Sequence, residues 1–216
     1  MLQYPSILGV KKVPLGYPCI AFYKYDGSNL RFEWNPKKGW NKFGSRNQMI
    51  DASHEVFGHG IEIFQDQMGD IIIERIKAAY PKQFKTLDRL TVFAEFYGEN
   101  SFAGNHEIED EKHLKLFDVF LFKKGFMQPA EFVNIFGDWE HAAEVVYQGN
   151  LNEQFITQVR HNALDIPLNE GVICKGFNEK IKFKTHSDVW MTKIKTFDFI
   201  NRLKHRYQDK WEQFSE

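Results

Sequence analysis

The chain has 216 residues, 43% of them hydrophobic, with 28 Lys and Arg against 29 Asp and Glu. That length can bury the core of one domain, with or without a small appendage, but hardly of two. A net charge near zero excludes a protein that coats nucleic acid by bulk charge, and no stretch nears the roughly 20 consecutive apolar residues of a bilayer span, so no membrane partner is expected.

The N-terminus, MLQYPSILGVKKVP, lacks a basic region followed by a long apolar one. No secretory signal is therefore read, and a cytoplasmic location is expected. Cys19 and Cys174 are too far apart in sequence for a redox CxxC or metal-ligand pair, and read as reduced structural thiols.

In chain order, Ile20–Tyr25 and Leu30–Trp34 read as short aromatic-rich strands joined by the turn Asp26-Gly27-Ser28-Asn29, a hairpin with Lys24 at its mouth. Apolar residues near i, i+4, i+8 spacing predict a helix over Glu62–Ala79, stopped by Pro81. Strands are expected at Thr91–Tyr97 and Leu114–Phe122, with an exposed loop over Gly98–Asp110 between them. Helices follow at Pro129–Phe136 and Asn152–Leu164, then a strand pair, Gly171–Lys175 with Lys180–Thr185. Thr192–Phe214 reads as a long amphipathic helix or helix pair, rich in Lys and Arg. It suits a phosphate-bearing partner, or is simply a solvated face. The whole is an α+β pattern with a mainly antiparallel sheet: one domain over 1–185 and a basic helical extension over 186–216.

The first chemical candidate is Lys24-Tyr25-Asp26-Gly27, a lysine at a strand end followed by a glycine turn whose amides can approach a phosphate without a Cβ in the way. Alone, such a tetrapeptide is a common surface turn. Lys182 and Lys184 alternate along a strand, so both can face one phosphate; a solvated edge strand is the other reading of that spacing. Glu95 ends the apolar run Val92-Phe93-Ala94, and Glu170 precedes the apolar Gly171-Val172-Ile173-Cys174. The histidines show no metal-ligand spacing.

Taken in order, Lys24-Tyr25-Asp26-Gly27-Ser28-Asn29, Glu95-Phe96-Tyr97-Gly98, Glu170-Gly171-Val172-Ile173 and Lys182-Phe183-Lys184 resemble motifs I, III, IV and V of the covalent nucleotidyltransferases, the ligases and capping enzymes. Ser45-Arg46 and Phe117-Asp118 resemble two weaker motifs between them. The resemblance implies an antiparallel-sheet, ATP-grasp-like adenylation domain. It implies Lys24 as nucleophile on the α-phosphate of ATP, and Asp26, Gly27, Asn29, Arg46, Glu95, Phe117, Lys182 and Lys184 as nucleotide-binding residues. Within that set Glu95 would bond a ribose hydroxyl, Phe117 would stack on adenine and Arg46 would clamp phosphate or ribose. Glu170 would be the ligand for magnesium, or manganese in its place.

A lysine near its ordinary pKa is almost wholly protonated at pH 7, so the nucleophile needs neighbouring positive charge, the role expected of Lys182 and Lys184. Asn29, where DNA ligases usually carry Arg, resembles the nick-sealing phage RNA ligases and implies an RNA partner with 5′-phosphate and 3′-hydroxyl ends. Only 32 residues follow Lys184, too few for the OB domain of DNA ligases and capping enzymes. The basic extension or a protein partner is expected to hold RNA instead. A GTP-dependent capping-type enzyme, a DNA ligase and a non-catalytic RNA-binding module of the same fold remain the alternatives.

Overall fold

The computed structural model describes residues 1–13, 15–177 and 189–212. In chain order its strands are β1 (Leu8–Gly9), β2 (Pro18–Lys24), β3 (Ser28–Asn35), β4 (Gly39–Ser45), β5 (Met49–Ile50), β6 (Leu90–Gly98), β7 (Lys112–Leu121), β8 (Gly125–Phe126), β9 (Val145–Asn150), β10 (Gly171–Phe177) and β11 (Val189–Lys195). Its helices are α1 (Gly58–Ile63), α2 (Gly69–Ala79), α3 (Pro81–Phe84), α4 (Pro129–Phe136), α5 (Glu153–Arg160) and α6 (Phe197–Tyr207). The chain divides into two compact units, Met1–Pro5 with Gly27–Ala143, and Ser6–Asp26 with Glu144–Glu216.

The first unit is a six-stranded antiparallel sheet in the order β5-β4-β3-β6-β7-β8. Side chains alternate across each strand, so Leu30 and Phe32 of β3 and Val92, Ala94 and Phe96 of β6 are buried on one face. The helical stretch 58–79 covers that face. Its periodic apolar residues Phe64, Met68, Ile72 and Ile76 are buried, and the Phe64 ring stacks on Phe32 at 3.7 Å. A π-helical turn over Phe64–Met68 joins α1 to α2. The opposite face of β3 and β6 carries Asn29, Arg31, Glu33, Thr91, Phe93 and Glu95, a polar composition that a face meant only for packing would not have.

The second unit is a five-stranded sheet, β1-β11-β10-β2-β9, antiparallel except for the β1–β11 pair. Cys19 and Ala21 of β2, Val172 and Cys174 of β10, and Trp190 and Ile194 of β11 form a core with Phe155, Ile156 and Val159 of α5. Both cysteines are buried free thiols within this core, as expected of structural residues. The same alternation sends Phe22, Lys24, Ile173, Lys175, Lys193 and Lys195 to the other face. Four lysines on one sheet face is the feature that sets up the site.

The helix at 62–79, the strand at 91–97 and the helix at Pro129–Phe136 stand where the sequence puts them, and the strand expected over Leu114–Phe122 is Lys112–Leu121. Three local expectations are corrected. β2 and β3 do not form a hairpin: β2 pairs with β9 and β10, β3 with β4 and β6, and the chain passes from one unit to the other after Asp26. Gly171–Lys175 has both edges occupied, by β2 and β11, so Val189–Lys195 holds the place expected for Lys180–Thr185. Thr192–Lys195 is therefore strand, and the helix begins at Phe197, where the Thr196 hydroxyl accepts the Phe199 N–H at 3.1 Å as N-cap. Lys182, Lys184 and the expected boundary at residue 185 lie outside the described residues. Among the described residues no helix is long and apolar enough to cross a membrane.

Candidate functional site

Register builds the site in the second unit. Gly171 of β10 lies opposite Lys24 on one side and Lys195 on the other, so Lys24, Gly171 and Lys195 form a row across three strands. Directly opposed residues share a sheet face, and the glycine leaves the space between the two lysines unfilled. A Cβ there would lie 2.0 Å from the Ile194 carbonyl oxygen, with φ at +154°, so the position requires glycine. Glu170, immediately before this row, fills the space instead. Its backbone carbonyl accepts the Thr196 N–H at 2.9 Å. One carboxylate oxygen accepts from Lys24 Nζ at 2.5 Å, and the other stands 3.1 Å from Lys195 Nζ.

Lys195 and Glu170 side chains are nearly enclosed, 8% and 5% exposed, whereas Lys24 is 21% exposed and can be reached. Burial pushes the Lys195 ammonium below the usual lysine range; Glu170 opposes this and the charge of Lys24 adds to it. The Lys195 ammonium also sits 5.0 Å from the centre of the Phe199 ring, which helps fix it. Within the trio the Glu170 carboxylate attracts the Lys24 ammonium and the Lys195 ammonium repels it. Lys175, on the same face, is buried with its ammonium 5.2 Å from the Phe22 ring.

The first unit carries a second polar row. Glu95 of β6 lies opposite Asn29 of β3 and opposite Lys115 of β7. Asn29 Oδ1 is buried with no hydrogen-bond partner among the described residues, an acceptor waiting for a donor. Gly27, just before β3, passes so close to β6 that a Cβ would lie 2.3 Å from the Phe96 carbonyl oxygen. Ser28 Oγ meets His106 Nε2 at 2.8 Å, and His106 Nδ1 meets Ser101 Oγ at 3.2 Å. Ser101 Oγ accepts the Gly98 N–H at 2.8 Å, so the Gly98–Ser101–His106–Ser28 chain ties the 99–111 loop to the start of β3. Burial, helped by Lys112, lowers the His106 pKa to about 4.

A bulge between Phe93 and Ala94 skips Phe117 in the β6–β7 register. The Phe117 ring packs edge-on to Tyr4 at 5.0 Å and lies 6.4 Å from Phe93. Asp118 is 3% exposed and accepts the Tyr4 hydroxyl at 2.7 Å, a structural role that pins the N-terminal segment to β7. Burial and then the Asp118 charge raise the Tyr4 pKa well above its ordinary value.

Of the residues singled out in the sequence, the structure thus brings together Lys24 and Glu170 in the second unit, with Asp26 contributing to the electrostatics of Lys195. In the first unit it brings together Asn29 and Glu95; Arg46 is exposed just beyond β4, outside that row. The residue missed was Lys195. Lys193-Ile194-Lys195 is a second K-x-K, and Val189-Trp190-Met191-Thr192 before it is a β-prone run that argues for strand over helix.

Among the described residues no group of three or more His, Cys, Asp or Glu could hold a metal. Magnesium retains its waters and needs only one or two carboxylates beside substrate phosphates, so the Glu170 carboxylate fits that ion and not a fully protein-caged one.

This pair of antiparallel sheets with flanking helices is a mixed α/β fold shared with RNA ligases of known structure. Three structures of the Naegleria gruberi RNA ligase match it: a mutant with AMP and Mn (TM-score 0.61, 17% identity, 95% of this chain and 59% of that one), an apo mutant (0.62, 17%, 95% and 58%) and the ligase with PPi (0.57, 18%, 95% and 59%). The chain therefore spans less than two thirds of the length of these ligases. No protein-family model and no curated protein sequence matches it.

Proposed function

We propose that this chain is the adenylylating domain of an ATP-dependent RNA ligase. The observation that carries the reading is the Lys24–Glu170–Lys195 trio: an accessible lysine at a strand end, paired with a carboxylate and next to a second, buried lysine. Lys24 Nζ, once deprotonated, attacks the α-phosphate of ATP. A P–N bond forms, the bond to the β-phosphate bridging oxygen breaks, and pyrophosphate leaves with the electron pair. The lysyl-AMP passes its AMP to an RNA 5′-phosphate, and an RNA 3′-hydroxyl then displaces AMP to join the ends.

Lys195 acts through its positive charge on Lys24, disfavouring the ammonium form of the nucleophile, and Lys182 and Lys184 are assigned to the phosphates by their motif. Glu95 and the Asn29 side chain are assigned to ribose hydroxyls, which offer the donors Asn29 Oδ1 lacks. Phe117 is assigned to the adenine, Arg46 to phosphate or ribose, and Asp26 and Gly27 to the turn next to the nucleotide. Magnesium, or manganese in its place, would be held by Glu170 and the phosphates and supplies charge neutralisation for the leaving pyrophosphate.

The test is incubation with α-labelled ATP and magnesium, after stripping bound AMP with pyrophosphate, followed by denaturing electrophoresis. The wild type should carry a covalent label that Lys24→Ala abolishes and excess GTP does not compete. An unlabelled wild type would sink the enzyme reading.

A further inference from the structure

A cavity of about 360 Å³ opens in the second unit where the turn at Val10–Lys12, the end of α5, β11 and α6 meet. Five of the side chains lining it are cationic, Lys11, Arg160, Lys193, Lys195 and Lys204, and none of the lining residues is acidic. Concentrating like charge around a concavity is unfavourable unless something else selects for it, and it focuses a positive potential that draws an anion.

The cavity is not purely ionic. Phe197, Ile200 or Asn201, and Lys204 recur along α6 at i, i+3/i+4 and i+7, so one helix stripe presents an aromatic ring, a polar or apolar step and a cation to it. Beyond α6 the chain turns back so that the Trp211 ring lies 4.7 Å from Lys204 Nζ, and Trp211 also lines the cavity. Phe197 is 40% exposed, a large aromatic left at the surface.

Cations drawn from four separate elements suit several phosphates in succession better than one small anion, and partly exposed aromatic rings among them suit bases. The volume lies at the small end of ligand cavities, room for one nucleotide unit and not for the girth of a duplex.

We propose that this cavity binds the single-stranded end of an RNA substrate, its sugar–phosphate backbone on Lys11 and Lys204 and a base on Trp211. The assignment builds on the ligase reading above by giving the RNA a place. It also narrows the diffuse role of the basic extension to Lys204 and Trp211, with Lys11 from the N-terminal turn beside them. Lys195 lines the cavity and also pairs with Glu170, so one side chain is shared between the cavity and the trio within the same unit.

The experiment measures binding of a short 5′-phosphorylated, dye-labelled single-stranded RNA by fluorescence anisotropy across a range of KCl concentrations. Covalent labelling by ATP is followed on the same preparations. Each phosphate contact of a single strand contributes about 0.7 to the slope of log affinity against log salt. Lys11→Ala with Lys204→Ala should therefore flatten the slope by about 1.4, and Trp211→Leu should weaken binding roughly tenfold with the slope unchanged. Covalent labelling should persist in both.

Unchanged affinity and slope in both variants, or no RNA binding by the wild type, would overturn the proposal. So would lost labelling with RNA affinity intact, which would give the cavity to the ATP triphosphate. A wild type that takes no label yet shows the expected slope change would remove the ligase reading and leave the RNA site standing.

Discussion

Replacing Lys195 by Met keeps most of the apolar stem of the side chain and removes its ammonium, and with it both the charge and the contact to Glu170. Lys24 and Lys195 bind opposite oxygens of the Glu170 carboxylate at 2.5 and 3.1 Å. Their nitrogens therefore stand within roughly 8 Å of each other, where at an effective dielectric of about 20 two like charges repel by about 2 kcal/mol. Lys195 in its charged form makes the ammonium of Lys24 less favourable, so its removal favours that ammonium. The free-amine form of Lys24 should then require a pH about 1.5 units higher.

Freed of its second partner, Glu170 holds Lys24 more tightly and pushes the same way. The assay is the initial rate of covalent labelling by ATP as a function of pH. On the rising limb Lys195→Met should be roughly thirtyfold slower than wild type, and raising the pH should recover much of the loss. An inflection that stays put while the plateau falls would refute the reasoning, because it would make Lys195 a phosphate contact and not a charge acting on Lys24.

Two further outcomes follow from the first unit. Tyr4→Phe removes the hydroxyl bonded to the buried Asp118 carboxylate, and should destabilise by about 2 kcal/mol, a drop in Tm of roughly 4–8 °C by thermal denaturation. The pKa of His106 is lowered from 6.5 to about 4, so between these values the unfolded chain binds a proton that the folded chain does not. Its contribution is present above about pH 6.5 and is lost as pH falls towards 4. Thermal denaturation at pH 7.5 and 5 should show this loss, and His106→Gln should shrink it. Asp110, held low chiefly by Asn100, and Asp51, held low by Ser53, lose their contributions only further into acid.

How much of this was legible in the residues depended on whether the signal was local. The helix at 62–79 and the strands at Thr91–Tyr97 and Leu114–Phe122 announce themselves because periodicity and β-propensity are read within a few residues. Lys24, Glu95 and Glu170 could be singled out because short segments around them carry recognisable chemistry in a recognisable order. Pairing was not legible. Whether Ser28 turns back to form a hairpin or carries the chain into a second sheet depends on partners more than sixty residues away, such as Phe96. Lys195 was hidden for a related reason. Its basic, amphipathic surroundings fit a helix, and the β-prone run before it becomes a strand by pairing along the edge of β10.

That pairing also has a consequence for how the protein comes into being on the ribosome. The six-stranded sheet is drawn from one unbroken stretch, 27–143, and everything it needs has emerged before the first residue of β10 is made. Lys24 is synthesised earlier than any of that sheet, yet its carboxylate partner lies 146 positions downstream and its cationic neighbour later still. During most of translation Lys24 awaits the strand that sets Glu170 beside it. The trio around it is complete only when the last strand is added.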